Sequence, residues 1–177
     1  MAAILILTCL CGLRAQAAAP EPEGYRMGDY RGELPATLRG ATVLDAQGLY
    51  HMMTTEPVIL IDVFPQPPRP EGLPQATLWH PPVRQDIPGS IWLANTGYGG
   101  LNDEMAAYFS TALEKLSLGD RERKLVFYCD ANCWMSWNAA KRAAELGYRG
   151  VYWFPGGVQD WIDAGYPVLP NAPLPVK

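Results

Sequence analysis

The sequence predicts an α/β domain with a central parallel sheet of five strands flanked by helices. Three observations carry that expectation. Short, apolar, β-branched runs recur along the chain, as strands covered on both faces require. Helical patterns with one apolar face lie between them, and strand alternating with helix is the pattern of a parallel sheet. The chain has 177 residues and is 49% hydrophobic, enough to bury one core and too short for several domains.

Ala41-Thr-Val-Leu44 is the first and weakest strand, and Asp45 to Met53 a short helical candidate after it. Val58-Ile-Leu-Ile-Asp-Val63 is a continuous apolar run of the kind buried on both faces. Ile91-Trp-Leu-Ala94 reads likewise. Asn102-Asp-Glu104 opens a helix with acids that suit its positive end. Met105, Tyr108, Phe109, Ala112, Leu113 and Leu116 then share one face, and Gly119 stops the helix. Leu125-Val-Phe-Tyr128 is the fourth strand. Ser136 or Asn138 is the expected cap of a helix through Leu146, stopped by Gly147. Val151-Tyr-Trp-Phe154 is the fifth strand, and Gln159 to Ala164 a last short helix.

The ends and one long connection stand outside that alternation. Residues 1–19 read as a secretory signal: Ala2 to Leu13 is apolar all round, and small residues up to Ala19 precede Pro20. Cleavage near Ala19 implies a periplasmic protein with no membrane segment in its mature form, since no apolar run approaches 20 residues. Residues 20–36 read as an irregular N-terminal segment, 37–168 as the domain and 169–177 as an irregular tail. Residues 64–88 form an insertion holding eight of the 17 prolines, a long structureless connection of the kind usually reserved for function or motion. It leaves the C-terminal end of the Val58–Val63 strand, the edge where open α/β sheets bind ligands.

The formal charge of −4 argues against a nucleic-acid partner, which needs a basic face. Removing the signal takes away Arg14, moving the balance to −5, and takes away Cys9 and Cys11. Only Cys129 and Cys133 remain, a close pair in an oxidising compartment.

Those two cysteines lie in Tyr128-Cys129-Asp130-Ala131-Asn132-Cys133-Trp134-Met135-Ser136-Trp137, which runs from a buried strand through a tight loop into a helix. A thiol placed there faces inward-pointing backbone N–H groups, which favour a thiolate or an anion above it. Cys129 is therefore the expected nucleophile. Asp130 beside it is expected to raise its pKa and repel a dianionic donor. Asp62, at a strand end, is expected to order the adjoining loop backbone. Met135 stands six positions after Cys129, where a cysteine phosphatase needs arginine, so that chemistry is ruled out. His51 and His80 are the only histidines; with the two cysteines they could form an S₂N₂ set, but neither lies in a paired motif, and no metal or cofactor is assigned.

Several ordered fragments resemble the rhodanese (sulfurtransferase) domain family. They are Ile61-Asp62-Val63, Asp86-Ile-Pro-Gly-Ser-Ile-Trp-Leu93, Tyr128-Cys129, Gly147-Tyr148, Pro155-Gly-Gly157, Trp161 and Gly165-Tyr-Pro167. Together they span roughly Ala41 to Val168. The run from Cys129 to Arg142 is similar, more narrowly, to exported proteins with a cysteine pair followed by tryptophan. Those proteins are associated with pyrroloquinoline-quinone-dependent alcohol oxidation. The resemblance implies a persulfide carried on Cys129, with the backbone and side chains of Asp130, Ala131, Asn132, Trp134, Met135, Ser136 and Trp137 around the substrate. It also implies a small sulfur-containing substrate or a protein thiol, and a periplasmic quinoprotein dehydrogenase system as partner.

Three mechanisms remain open on the residues. Single-cysteine sulfur transfer needs only Cys129 and its cradle. Thiol–disulfide exchange needs Cys133 as well, one thiol attacking and one resolving. A non-catalytic binding or chaperone module would use the tryptophans and the proline-rich loop as a contact surface.

Overall fold

The computed structural model describes residues 19–176; the expected export segment lies outside them except for Ala19. The elements are β1 (Thr42–Val43), α1 (Ala46–Thr55), β2 (Ile59–Asp62), β3 (Arg84–Asp86), β4 (Ile91–Trp92), α2 (Asp103–Ser117), β5 (Leu125–Tyr128), α3 (Trp134–Glu145), β6 (Val151–Trp153), α4 (Gly157–Asp163) and β7 (Leu169–Asn171). Five strands form one sheet in the order β1-β6-β5-β2-β4, every neighbouring pair parallel. The expected fold class is the observed one. Among the described residues no helix is long and apolar enough to cross a membrane.

Strand β5 lies at the middle of the sheet, and all four of its residues are buried. Side chains alternate across a strand, so Leu125 and Phe127 enter one core, with Trp137, Ala140 and Ala143 of α3 and Phe109 and Leu113 of α2. Val126 and Tyr128 enter the other, with Leu49 and Met52 of α1 and Trp161 of α4. This two-sided covering is why the strand reads as an unbroken apolar run. The helix starts obey simple chemistry too: the Asp45 carboxylate accepts from the Gly48 N–H at 2.7 Å, and the Asn102 side chain accepts from the Met105 N–H at 2.8 Å.

The structure departs from expectation in three places. Helix α3 begins at Trp134 with Cys133 as its N-cap residue, earlier than a Ser136 or Asn138 cap would allow. Both polar side chains are spent on tertiary bonds instead. Ser136 Oγ accepts from the Trp153 indole at 3.0 Å, and Asn138 binds the Arg26 backbone through both ends of its amide. Secondly, the insertion and the tail are not wholly irregular: β3, from its end, and β7, from the tail, pair antiparallel as Arg84↔Asn171, Gln85↔Pro170 and Asp86↔Leu169. Pro170 fits because a two-stranded ribbon leaves every residue on an edge. The tail then runs on beside β4, where Leu174 N–H donates to Trp92 O at 2.8 Å. Thirdly, the N-terminal segment is docked across the start of α3, with Arg26 bonded to Asn138 and Tyr30 to Trp134.

Candidate functional site

Cys129 directly follows β5, at the C-terminal edge of the sheet, and Cys133 caps α3. The turn between them closes through Asn132 at φ 55°, a left-handed conformation that asparagine tolerates better than most residues. This turn brings the two Cα atoms to 6.2 Å, and the sulfurs are joined as a disulfide. Cys129 is 0% and Cys133 1% exposed. The reactive thiolate expected at Cys129 is therefore the reduced form of a site whose structure here is oxidised and closed.

The Cys129 end is held by groups distant in sequence. Its carbonyl accepts from the Val158 N–H at 3.0 Å and from Arg84 Nη2 at 3.4 Å. Gly157 sits against it at φ 58°, and a Cβ there would lie 2.4 Å from the Cys129 oxygen. The glycine pair after β6 thus has a definite task at its second member: close approach to the loop in a backbone conformation that side chains resist.

Arg84 is the centre of the electrostatics. Its side chain is 10% exposed, with Nε 2.8 Å from Asp62 Oδ2 and Nη1 2.8 Å from Asp130 Oδ1, and it lies over the Phe64 ring at 4.1 Å. Asp130 is also paired with Arg31 at 2.9 Å. Burial works to raise the Asp130 pKa, but the hydrogen bonds and charges of Arg31 and Arg84 outweigh it and hold the carboxyl below its usual range. The expected repulsion by Asp130 is thereby corrected: its charge is matched by two guanidinium groups from outside the loop. Neither Lys141 nor Arg142 supplies them. Lys141 pairs with Glu145 at 3.2 Å, and Arg142 donates to the carbonyls of Thr96, Tyr98 and Gly99.

The Asp62 carboxylate accepts from the Phe64 N–H at 2.9 Å and from Arg84 Nε at 2.8 Å. Burial first, then the neighbouring Asp86 carboxylate, push its pKa up to about 7 against the pull of Arg84. Asp86 is itself buried and bonded to the Tyr128 hydroxyl, and the Asn171 amide donates to it at 2.9 Å.

The remaining residues assigned to the substrate divide by exposure. Ala131 and Asn132 form the solvent side of the turn with Asp130, whereas Trp134, Met135, Ser136 and Trp137 are buried. Trp134 meets Trp137 edge to face at 5.5 Å, and the Trp137 indole reaches the Thr37 carbonyl at 3.3 Å. The inward-facing backbone is also partly used: the Trp134 N–H donates to Tyr30 O at 2.9 Å. Part of the proline-rich loop borders this edge. Phe64, Pro67, Pro82 and Val83 wall a recess of about 240 Å³ together with Arg84 and Val158, the two residues that hold the Cys129 carbonyl.

Arg84 and Arg31 lie outside the motifs that mark the site in the sequence. Arg84 stands two residues before Asp86-Ile-Pro-Gly89, so its closeness to a recognisable motif was the one available signal.

The family model of the rhodanese-like domain matches residues 45–164. The chain belongs to the rhodanese-like domain family. Among solved structures, the chain is similar to a polysulfide-sulfur transferase homodimer from Wolinella succinogenes at 20% identity, covering 73% of this chain and 79% of that one, with a TM-score of 0.47. It is also similar to a thiosulfate sulfurtransferase from Pseudomonas aeruginosa at 14% identity, covering 76% of this chain and 21% of that one, with a TM-score of 0.47. A rhodanese-related protein from Thermoplasma volcanium is 22% identical, over 72% of this chain and 97% of that one, with a TM-score of 0.39. A comparison with curated proteins finds no match.

Proposed function

We propose that the protein handles sulfane sulfur at Cys129 and that Cys133 makes the site a two-cysteine one. The Cys129 thiolate attacks the outer sulfur of a persulfide-type donor, which leaves as its thiolate, and Cys129 becomes a persulfide. The Cys133 thiolate then attacks Cys129 Sγ, expelling hydrosulfide and closing the disulfide; a dithiol returns both cysteines to thiols. The observation that carries this reading is the Cys129–Cys133 disulfide at the strand-to-helix loop of a rhodanese-like domain. Family membership supports sulfur chemistry at Cys129, and the bond to Cys133 supports resolution by the second thiol.

Mass spectrometry of reduced protein exposed to a polysulfide tests it. Cys133→Ser accumulates a persulfide on Cys129, wild type releases sulfide and closes its disulfide, and Cys129→Ser does neither. If Cys133→Ser never gains a sulfur atom while wild type still exchanges disulfides with protein thiols, plain thiol–disulfide exchange replaces this reading. The disulfide specifically favours that second reading over a single-cysteine site. A protein with neither activity is the binding or chaperone module.

The reading places the mature protein in the periplasm, with the apolar leader and the oxidised pair as support. It also makes the protein an accessory to pyrroloquinoline-quinone-dependent alcohol oxidation, supported by the likeness of the Cys129–Arg142 run to that group. Fractionation of cells and co-purification with a quinoprotein dehydrogenase test these two points; cytoplasmic protein, or no dehydrogenase contact, removes them.

A further inference from the structure

Residues 25–32 lie along the start of α3 as a strap over the disulfide. At one end Arg26 is fastened to Asn138 by two bonds of 2.9 and 3.0 Å, and its carbonyl lies so near Gly99 that a Cβ there would come within 2.2 Å. At the other end the strap pairs with the loop as an extended strand would. The Trp134 N–H donates to Tyr30 O at 2.9 Å, the Gly32 N–H donates to Asn132 O at 3.0 Å, and Arg31 stands antiparallel to Cys133. In that pattern Arg31 and Cys133 form the non-hydrogen-bonded pair, the kind in which facing residues come closest, with Cα atoms about 4.5 Å apart. The Arg31 side chain turns aside to Asp130 and to Ala131 O at 3.1 Å.

These two ends differ in kind. The bonds at Asn132 and Trp134 are main-chain bonds, which any extended polypeptide can make, and they sit beside one sulfur of the disulfide. We propose that the backbone edge Asn132–Trp134 is a docking site for an extended segment of a protein dithiol, and that Tyr30–Gly32 occupies it until that partner displaces it. A partner cysteine in the place of Arg31 stands next to Cys133. Its thiolate attacks Cys133 Sγ, and the sulfur–sulfur bond breaks with Cys129 leaving as thiolate. The second partner thiolate then attacks the partner's own sulfur in the mixed disulfide and frees Cys133. Two electrons pass from the dithiol, which becomes a disulfide, and the two cysteines take up its protons. This rests on the proposed function, since it names what resets that cycle.

The test uses the oxidised full chain and compares its reduction by thioredoxin, as the protein dithiol, with reduction by a water-soluble phosphine, which needs no docking. Loss of the exposed Arg31 bonds in Arg31→Ala loosens the strap, so both rates rise by about fivefold and their ratio holds. Trp134 is the first residue of α3, where proline is tolerated. Trp134→Pro therefore removes the docking N–H, and Trp134→Ala controls for the lost indole. In Trp134→Pro the thioredoxin-to-phosphine ratio falls by about fivefold relative to Trp134→Ala, because partner and strap both lose that bond while the phosphine profits from the looser strap. A ratio in Trp134→Pro equal to that in Trp134→Ala, or an Arg31→Ala protein reduced no faster by either agent, overturns the proposal. Amide exchange offers a measurement on an almost native chain. In a mixed disulfide of Cys129→Ser with single-cysteine thioredoxin, the Gly32 amide loses protection and the Trp134 amide keeps it; continued protection of Gly32 overturns the proposal equally. None of these readouts involves sulfane sulfur, so failure of persulfide formation in Cys133→Ser is a separate result.

Discussion

The two ends of the Cys129–Cys133 turn are held in opposite ways. At Cys129 the grip is a nearly buried guanidinium, Arg84, shared between Asp62 and Asp130, with Val158 and Gly157 against the carbonyl. At Cys133 it is the main chain of Tyr30–Gly32, with an arginine that is 56% exposed. Buried charges are costly to unpair, whereas a solvent-facing ion pair contributes little. One sulfur is thus anchored through buried charge, while its partner lies under main-chain bonds and a solvent-facing arginine. In the proposed cycle, that asymmetry lets the disulfide close on the fixed sulfur and be opened at the other.

Arg84→Met has the largest expected effect on the Cys129 end. The change removes two ion pairs and the bond to the Cys129 carbonyl together. Breaking a buried pair by removing one partner costs about 3 kcal/mol at the low end, and Asp62 limits the loss by taking up a proton. Urea unfolding at neutral pH measures it. A loss below about 1 kcal/mol would mean that the Cys129 end is no more firmly held than the other. Reduction of the disulfide comes next. Its sulfurs are only four residues apart, and closing so short a loop restricts the unfolded chain by about 2 kcal/mol. Unfolding with and without a reductant should differ by that amount, with Cys133→Ser matching the reduced protein.

Acid pH separates the two carboxylates at the Cys129 end. Asp62 has a folded pKa of about 7, above its unfolded value. Between those two values the folded state binds more protons, so this group makes the protein more stable as the pH falls from about 7 toward 4. Asp130 is shifted the other way. Its contribution is full above its unfolded value and is lost as the pH drops through the lower folded one. Urea midpoints taken from pH 8 to pH 3 should therefore rise and then fall. Asp62→Asn should abolish the rise and Asp130→Asn should blunt the fall; a wild-type curve flat from pH 7 to 5 would refute the Asp62 assignment.

What could be read in the sequence follows the same division. Strand β5 and its cysteine loop are legible because burial on both faces produces an unbroken apolar run, and the chemistry adjoins it. The Arg84 clamp is not legible, since its partners lie 22 and 46 residues away and an ion pair across such distances leaves no local pattern. Local rules also misplaced the start of α3. Ser136 and Asn138 are good caps in isolation, but the Trp153 indole and the Arg26 backbone demand their polar groups inside the helix. The β3–β7 ribbon was hidden for a related reason: Leu169-Pro-Asn171 carries the composition of a turn and becomes a strand only through its partner. The strap reads as an irregular segment because main-chain pairing imposes no side-chain periodicity on a sequence.

The smallest expected effect bears most directly on the asymmetry. Arg31→Ala removes one ion pair and one carbonyl contact from the strap, while Arg84 still neutralises Asp130 at 2.8 Å. An exposed pair of this kind contributes no more than about 1 kcal/mol to global stability. The urea midpoint should therefore scarcely move, and the acid limb set by Asp130 should shift only slightly toward higher pH. The local consequence is larger than the global one, because the strap can open without unfolding the sheet beneath it. Amide exchange at Gly32 and Trp134 should quicken together, while exchange in β5 stays at the global rate. Should exchange at those two amides instead track β5, the strap and the sheet open as one unit. The Cys133 end would then be as firmly held as the Cys129 end.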